Sequence, residues 1–373
     1  MKIGKFKVSI LNAFLVFVPI AAFLHFTHAE ASWVFVASGI AIIPLAGILG
    51  EATEHLAEHV GPGIGGLLNA TFGNAAELII AIFALNAGLY GVVKASITGS
   101  IIGNLLLVLG VSMLAGGLKF KTQRFNAVAA GMNSTLLILS TAGLVVPALV
   151  YYLLTAHNIG AEEVAAIDLD VSLAVAIVLF VTYVLSMVFS LQTHKHLFDT
   201  TDYENPGGAE FEEVWSKKKS GIVLAVATAF VAWMSEMLVH SIEETTASWG
   251  MTEVFVGVII VAIVGNAAEH SAAIMMAMKN KMDIAVTIAI GSSSQVALLL
   301  APVVVFLSYV IGPAPMDLVF SPLEVLSVIL AAILVNFVAL DGESHWMEGV
   351  QLLAVYVILG IAFFFLPEWG THH

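Results

Sequence analysis

The sequence predicts an all-α polytopic membrane protein of about eleven transmembrane helices, arranged as two inverted five-helix repeats plus one extra N-terminal helix. Three observations carry this reading. Of 373 residues, 60% are hydrophobic and 11% charged, where a soluble domain carries roughly 25% charge. Apolar stretches long enough to cross a bilayer as helices, about 20 residues each, recur from near the N-terminus to Leu366. The five residues GNAAE occur twice, as Gly73–Glu77 and Gly265–Glu269, 192 positions apart.

In chain order, the first span covers 8–27. It lacks a small-residue cleavage site and more spans follow, so it is no signal peptide. Residues 1–30 form the extra N-terminal helix, and 31–193 the first repeat, with spans at 32–55, 64–86, 92–115, 127–151 and 168–192. A linker covers 194–219, and 220–367 is the second repeat, with spans at 220–240, 252–277, 283–309, 322–340 and 347–366. The linker holds Asp199, Asp202, Glu204, Glu210, Glu212 and Glu213, the turn signal Asn205-Pro206-Gly207-Gly208, and Lys217, Lys218 and Lys219. That composition reads as a solvated cytoplasmic loop.

The basic residues orient the spans. With the N-terminus inside, 12 of the 13 bases are cytoplasmic and Lys94 alone lies outside, where it snorkels to the interface. The protein is therefore expected as a multi-pass protein of the cell membrane, its partner the lipid bilayer, with the N-terminus cytoplasmic and the C-terminus extracytoplasmic. His372-His373 reads as a tag remnant. Cysteine is absent, which removes disulfides and thiol ligands. The net charge of -14 points away from nucleic acid and toward cations at the pore mouths. Nothing indicates an enzyme or a resident cofactor. A homo-oligomer is left open.

Pairing residue n with n+192 gives identity at 12 of the 40 positions in 73–112, and sets Glu51 on Glu243, Thr53 on Thr245 and Gly99-Ser100 on Gly291-Ser292. Five spans per repeat is an odd number, so the second repeat enters the membrane from the opposite side. The halves then relate by a pseudo-two-fold axis in the membrane plane, and the matched motifs meet near mid-depth. This is a transporter architecture.

An ionisable residue within a span marks a functional site by default. Asn74 and Glu77 are three apart and share a helix face, as do Asn266 and Glu269. Gly73 and Gly265 permit a local break or a close helix approach. Two carboxylates and two amide oxygens are hard ligands that suit calcium better than magnesium, zinc or copper. Two close carboxylates in low dielectric either bind a cation or take up protons, and they titrate as a coupled pair. Exchange of Ca²⁺ for H⁺ on shared oxygens follows.

Further polar groups are candidates for the ion path. Ser100 and Ser292 follow glycines in the next spans, and Asn104 and Gln295 lie deep in the same spans without aligning with each other. Glu51 and Glu243 align near the ends of spans 2 and 7, beside Glu54 and Glu244. His270 follows Glu269. A competing motif, His55-Leu56-Ala57-Glu58-His59, matches the H-x-x-E-H pattern of some zinc proteases, but it offers no evident third ligand and leaves the GNAAE repeat unexplained.

These features resemble the calcium/cation:proton antiporters of the cation/calcium exchanger superfamily. The resemblance covers about residues 32–366 and rests on Pro44-Leu45-Ala46, Ala52-Thr53-Glu54, both GNAAE motifs, Gly99-Ser100, Gly103-Asn104, Gly291-Ser292-Ser293, Gln295 and Glu269-His270. It implies export of cytosolic Ca²⁺ against inward protons, with Glu77 and Glu269 as the shared ion and proton carriers. It also implies a ten-helix core with one additional N-terminal helix. Some relatives carry Mn²⁺, Na⁺ or K⁺. Sodium-coupled relatives place extra acids around the motif, and the second motif here has none, which favours protons as the coupling ion over sodium.

Overall fold

The computed structural model describes residues 10–60, 65, 68–69, 71–194, 197 and 214–366. The expectations for Lys2, Lys5, Lys7, Lys195, the six acids of the linker and His372-His373 lie outside the described residues. The chain is mostly helical. In order the helices are α1 (Phe14–Phe26), α2 (Ala31–Glu58), α3 (Ala75–Asn86), α4 (Tyr90–Lys119), α5 (Ala127–Ala156), α6 (Ala161–Thr193), α7 (Lys217–His240), α8 (Ile242–Trp249), α9 (Glu253–Met278), α10 (Met282–Ser308), α11 (Pro322–Val338) and α12 (Trp346–Phe365). Among the described residues eight are long and apolar enough to cross a membrane, all but α1, α3, α8 and α11.

Helix starts follow ordinary capping chemistry. The Asn126 side chain accepts from the Val128 and Ala129 N–H groups at the head of α5, and Ser216 accepts from Lys219 N–H at the head of α7. Ser321 and Glu324 form a capping box ahead of α11, whose first residue is Pro322. These side chains satisfy N–H groups that a helix start leaves open. Pro44 and Pro147 lie inside α2 and α5, as helices in membranes tolerate. Glu51 lies toward the C-terminal end of α2, and Glu243 lies just past the end of α7, in the first turn of the separate helix α8.

Helices α4 and α10 each widen from α to π geometry near mid-length, at Gly103–Val108 and Val296–Leu300. Short strands β1 (Gln123–Arg124) and β2 (Glu343–Ser344) pair antiparallel between the loops after α4 and α11. Helix α4 is the most enclosed of the long helices and α6 the least. Along α6, Ile177, Val178, Val181 and Leu185 are exposed, and along α12 Val357, Ile358 and Ile361. Apolar residues on the outside as well as the inside are what a lipid solvent selects.

The centre is built on close backbone approach. A Cβ placed on Gly99 of α4 would overlap the Val258 carbonyl of α9, and one on Gly257 would lie 2.6 Å from Ala95 Cβ. Small residues let membrane helices meet at this range, where dispersion replaces the missing hydrophobic drive. Gly99→Ala is therefore expected to force α4 and α9 apart and to cost about 1–3 kcal/mol, read as a lowered melting temperature in detergent. Gly103→Ala is the control, because a Cβ there meets nothing within 4 Å, and its melting temperature stays at the wild-type value.

Candidate ion-binding site

The two GNAAE motifs have the same five residues and different backbones. In the first, the chain turns at Gly73-Asn74, and α3 begins only at Ala75 with Glu77 in its first turn. The Gly73 N–H still bonds the Asn69 carbonyl at 2.8 Å. The second motif runs unbroken within α9. The local sequences explain the difference. Asn69 and Thr71 precede the first motif and are weak helix formers, whereas Ile259, Ile260, Val261 and Ile263 precede the second and pack well in an apolar surround.

Each motif glycine faces the glutamate of the other motif. A Cβ on Gly265 would stand 3.0 Å from Glu77 Cγ and 3.7 Å from its Oε1, and one on Gly73 would stand 3.8 Å from Glu269 Oε1. The missing side chains are the space into which the two carboxylates reach. Glu77 is 9% exposed, and both of its carboxylate oxygens are buried without a hydrogen-bond partner, as is Glu269 Oε2.

The neighbouring amides and hydroxyls bond one another, with Asn104 Oδ1 left buried without a partner. Ser292 Oγ donates to Asn74 Oδ1 at 3.2 Å, and Asn74 Nδ2 donates to Gln295 Oε1 at 2.7 Å. Asn104 Nδ2 reaches Ser292 Oγ at 3.1 Å and Asn266 Oδ1 at 3.3 Å. Asn266 Nδ2 donates to Ser100 Oγ and to the Ala262 carbonyl, both at 2.9 Å. Six side chains from α4, α9, α10 and the turn before α3 thus form one network. Ser292 also lies against the Glu269 carboxylate. Each amide oxygen that accepts one bond keeps a second lone pair, so Asn74 and Asn266 retain capacity to ligate. What the cluster lacks is positive charge. A buried carboxylate pair without partners needs a cation or protons.

The other candidates fall outside this network. Glu51, Glu54, Glu243 and Glu244 are exposed. His270 adjoins Glu269, and its Nε2 is buried without a partner. The H-x-x-E-H histidines face Trp215 rather than each other: His55 stacks on its ring and His59 Nε2 bonds its carbonyl at 2.7 Å. Among the described residues no group of three or more His, Asp or Glu is placed to hold a metal.

Lys94 corrects its expectation. It does not snorkel but is largely buried, its Nζ 2.6 Å from Asp317 Oδ1 and 3.0 Å from the Val319 carbonyl. The turn before α11 supplies both partners, so the ammonium is neutralised within the protein. One turn along α4, Thr98 donates to the buried Glu324 at 3.2 Å. No local pattern in the sequence couples residues 223 positions apart. The signal that was present is a lone lysine at the start of one span and an acid in a later loop.

The sodium/calcium exchanger protein family model matches residues 30–192 and 219–365. The chain is 44% identical over 371 residues to a Ca²⁺/H⁺ antiporter of Aphanothece halophytica, covering 97% of this chain and 98% of that one. It is 46% identical over 350 residues to the Ca²⁺/H⁺ antiporter ChaA of Bacillus subtilis, covering 94% and 97%. The solved structure of native YfkE aligns with a TM-score of 0.81 at 42% identity, over 96% of this chain and all of that one. The H⁺/Ca²⁺ exchanger CAX shares the fold, with a TM-score of 0.68 at 16% identity, covering 95% and 91%. The breadth and depth of these matches assign the protein to the sodium/calcium exchanger family, as one of its calcium/cation:proton antiporters.

Proposed function

We propose that this protein is a secondary active transporter that exports cytosolic Ca²⁺ in exchange for H⁺ by alternating access, with Glu77 and Glu269 binding Ca²⁺ or protons in turn. One observation carries the reading: two buried carboxylates converge across α3 and α9, and three of their four oxygens have no hydrogen-bond partner. An ion held there meets hard oxygen ligands from Glu77, Glu269, Asn74 and Asn266, a set suited to Ca²⁺ and open to Mn²⁺. When the cation leaves, protons occupy the same oxygens, because an empty doubly charged pair is costly in low dielectric. Each empty passage therefore carries protons, which couples the two fluxes. The exchange uses no resident cofactor. Relatives named Ca²⁺/H⁺ antiporters at 44% and 46% identity support protons as the coupling ion.

The eleven crossings and the inverted repeats are part of the proposal. Contacts between helix ends join segments that the charge-based orientation puts on one side. On the cytoplasmic side these are β1 with β2, and Lys119 with the Met278 carbonyl at 3.0 Å. On the extracytoplasmic side they are Lys94 with Asp317, and Ser32 with Ser248 at 3.0 Å. One pair of π segments supports the repeat, since Gly103–Val108 shifted by 192 falls on 295–300 and one of the other three π segments described is Val296–Leu300. The site is reached from the cytoplasm. Asn69, Thr71 and Gly73 are exposed and Ala267, Ala268 and Glu269 partly so, while Ile80, Ala81 and Ala84 beyond the site are buried.

Reconstituted in sealed vesicles, the wild type is expected to move Ca²⁺ against an imposed pH gradient, and the half-saturating Ca²⁺ rises as pH falls on the binding side, since protons and Ca²⁺ compete for the same oxygens. Flux that needs a sodium gradient and ignores pH replaces this reading with sodium-coupled exchange. Glu77→Gln and Glu269→Gln should each lower exchange to background in a protein that still runs as one folded species on size exclusion. Normal exchange by either variant removes that residue from the mechanism. Gly265→Ala, which presses on the Glu77 side chain, is expected to weaken Ca²⁺ binding about tenfold or more, equivalent to about 1.4 kcal/mol, measured by calorimetric titration.

A further inference from the structure

Helix α6 carries a carboxyl that the ion site does not use. Asp168 is 5% exposed, and its Oδ1 is buried without a hydrogen-bond partner. The charges that act on it are Asp317 and Lys94. Ser172 lies one turn further along the same face of α6 and accepts from the Leu318 N–H at 2.8 Å. Helix α6 is therefore packed on the turn that holds Asp317. Lys94 of α4 reaches the same turn, with Nζ 2.6 Å from Asp317 Oδ1.

Three acids thus stand near one ammonium, and the donors are shared out unequally. Asp317 Oδ1 takes Lys94 and also the Val319 N–H at 2.6 Å. Glu324 of α11 takes the Ser321 N–H at 2.9 Å and the Thr98 hydroxyl at 3.2 Å. Asp168 Oδ1 takes none. Among the described residues, the helices packed on α6 bring no further charge to this level. Helix α5 presents the phenols of Tyr151 and Tyr152, and the outer end of α10 that of Tyr309. Asp170 is exposed, as are His157, Glu162 and Glu163 at the outer ends of α5 and α6.

A carboxylate without donors is costly to bury, and a neutral carboxyl much less so. The Lys94 ammonium repels a metal cation from this position. A proton fits, because it removes the charge and turns one oxygen into a donor. The side chain of Asp317 is 30% exposed and that of Lys94 14%. Water therefore has a way in, from the face that the charge-based orientation makes extracytoplasmic.

We infer that the Asp168 carboxyl is a second proton-binding site, open to the extracytoplasmic side and separate from the Glu77–Glu269 pair. The inference uses the orientation of the chain and not the exchange reading. Protonated, Asp168 adds no charge to the Lys94–Asp317 pair. Ionised, it adds a second carboxylate to one ammonium, so the stability it contributes is present at acid pH and lost as pH rises.

The test uses the full chain carrying Glu77→Gln and Glu269→Gln, which removes the carboxyls of the ion site. Infrared difference spectra between acid and alkaline pH should show a protonated-carboxyl band that Asp168→Asn abolishes. In vesicles of one orientation the band should follow pH on the extracytoplasmic face and ignore pH on the other. Labelling with heavy-isotope aspartate should shift the same band with residue 168 unaltered, a reading that does not depend on how the asparagine variant folds. Absence of the band, a band that the label leaves in place, or one that follows cytoplasmic pH overturns the inference.

Melting temperature in detergent separates a proton site from a structural contact. Asp168→Asn keeps the shape and cannot ionise. It should match its parent at acid pH and exceed it by about 2–4 °C at alkaline pH. A deficit of the same size at every pH marks a packing role and overturns the inference. Neither measurement involves calcium, so failure here leaves the exchange reading standing, and failure of calcium exchange leaves the proton site standing.

Discussion

The centre of this molecule is arranged around two buried carboxyl groups, Glu77 and Glu269, that meet between α3 and α9. A carboxylate at the bilayer centre costs roughly 2.5–3.5 kcal/mol on insertion scales, and two side by side cost more through repulsion. The fold does not relieve this with a fixed base. Lys94 is occupied by Asp317, and the amides and hydroxyls near the glutamates are bonded mainly to one another. On the proposed exchange reading, the unmet demand for positive charge is left for a mobile ion to fill.

That demand also accounts for the packing around the site. The carboxylates meet only because the facing position on each partner segment is glycine. The same device recurs a turn or more away, where Gly99 and Gly257 bring α4 and α9 into backbone contact. Helices in lipid gain little from hydrophobic association, so close packing of small residues and buried polar bonds hold the centre together. The network of Asn74, Gln295, Ser292, Asn104, Asn266 and Ser100 serves both ends. It crosslinks four segments, and it holds two amide oxygens beside the carboxylates.

Much of the site was legible in the sequence because its signals are local and absolute. Glu77 and Glu269 stand out as acids in apolar runs, and Asn74 and Asn266 are carried on the same helix face by spacing alone. Asn104 and Gln295 are visible as polar groups deep within spans, and the structure joins both to the motif asparagines. Less legible were features that depend on what lies across the fold. The turn at Gly73-Asn74 against the continuous helix at Gly265-Asn266 separates two identical pentapeptides through their upstream neighbours. The burial of Lys94 depends on a loop more than 200 positions away. The histidines of His55-Leu56-Ala57-Glu58-His59 read equally well as metal ligands until Trp215 is seen between α2 and α7.

By itself the sequence determined the class of molecule, the approximate helices and the two acids that stand inside apolar runs, because hydropathy and charge in a membrane are properties of each segment alone. Tertiary structure decided which groups come together, which of them are already bonded, and which are buried. Those depend on the relative placement of helices, set by the summed contacts of many side chains and by the glycines that let backbones touch. No single stretch of residues encodes that placement.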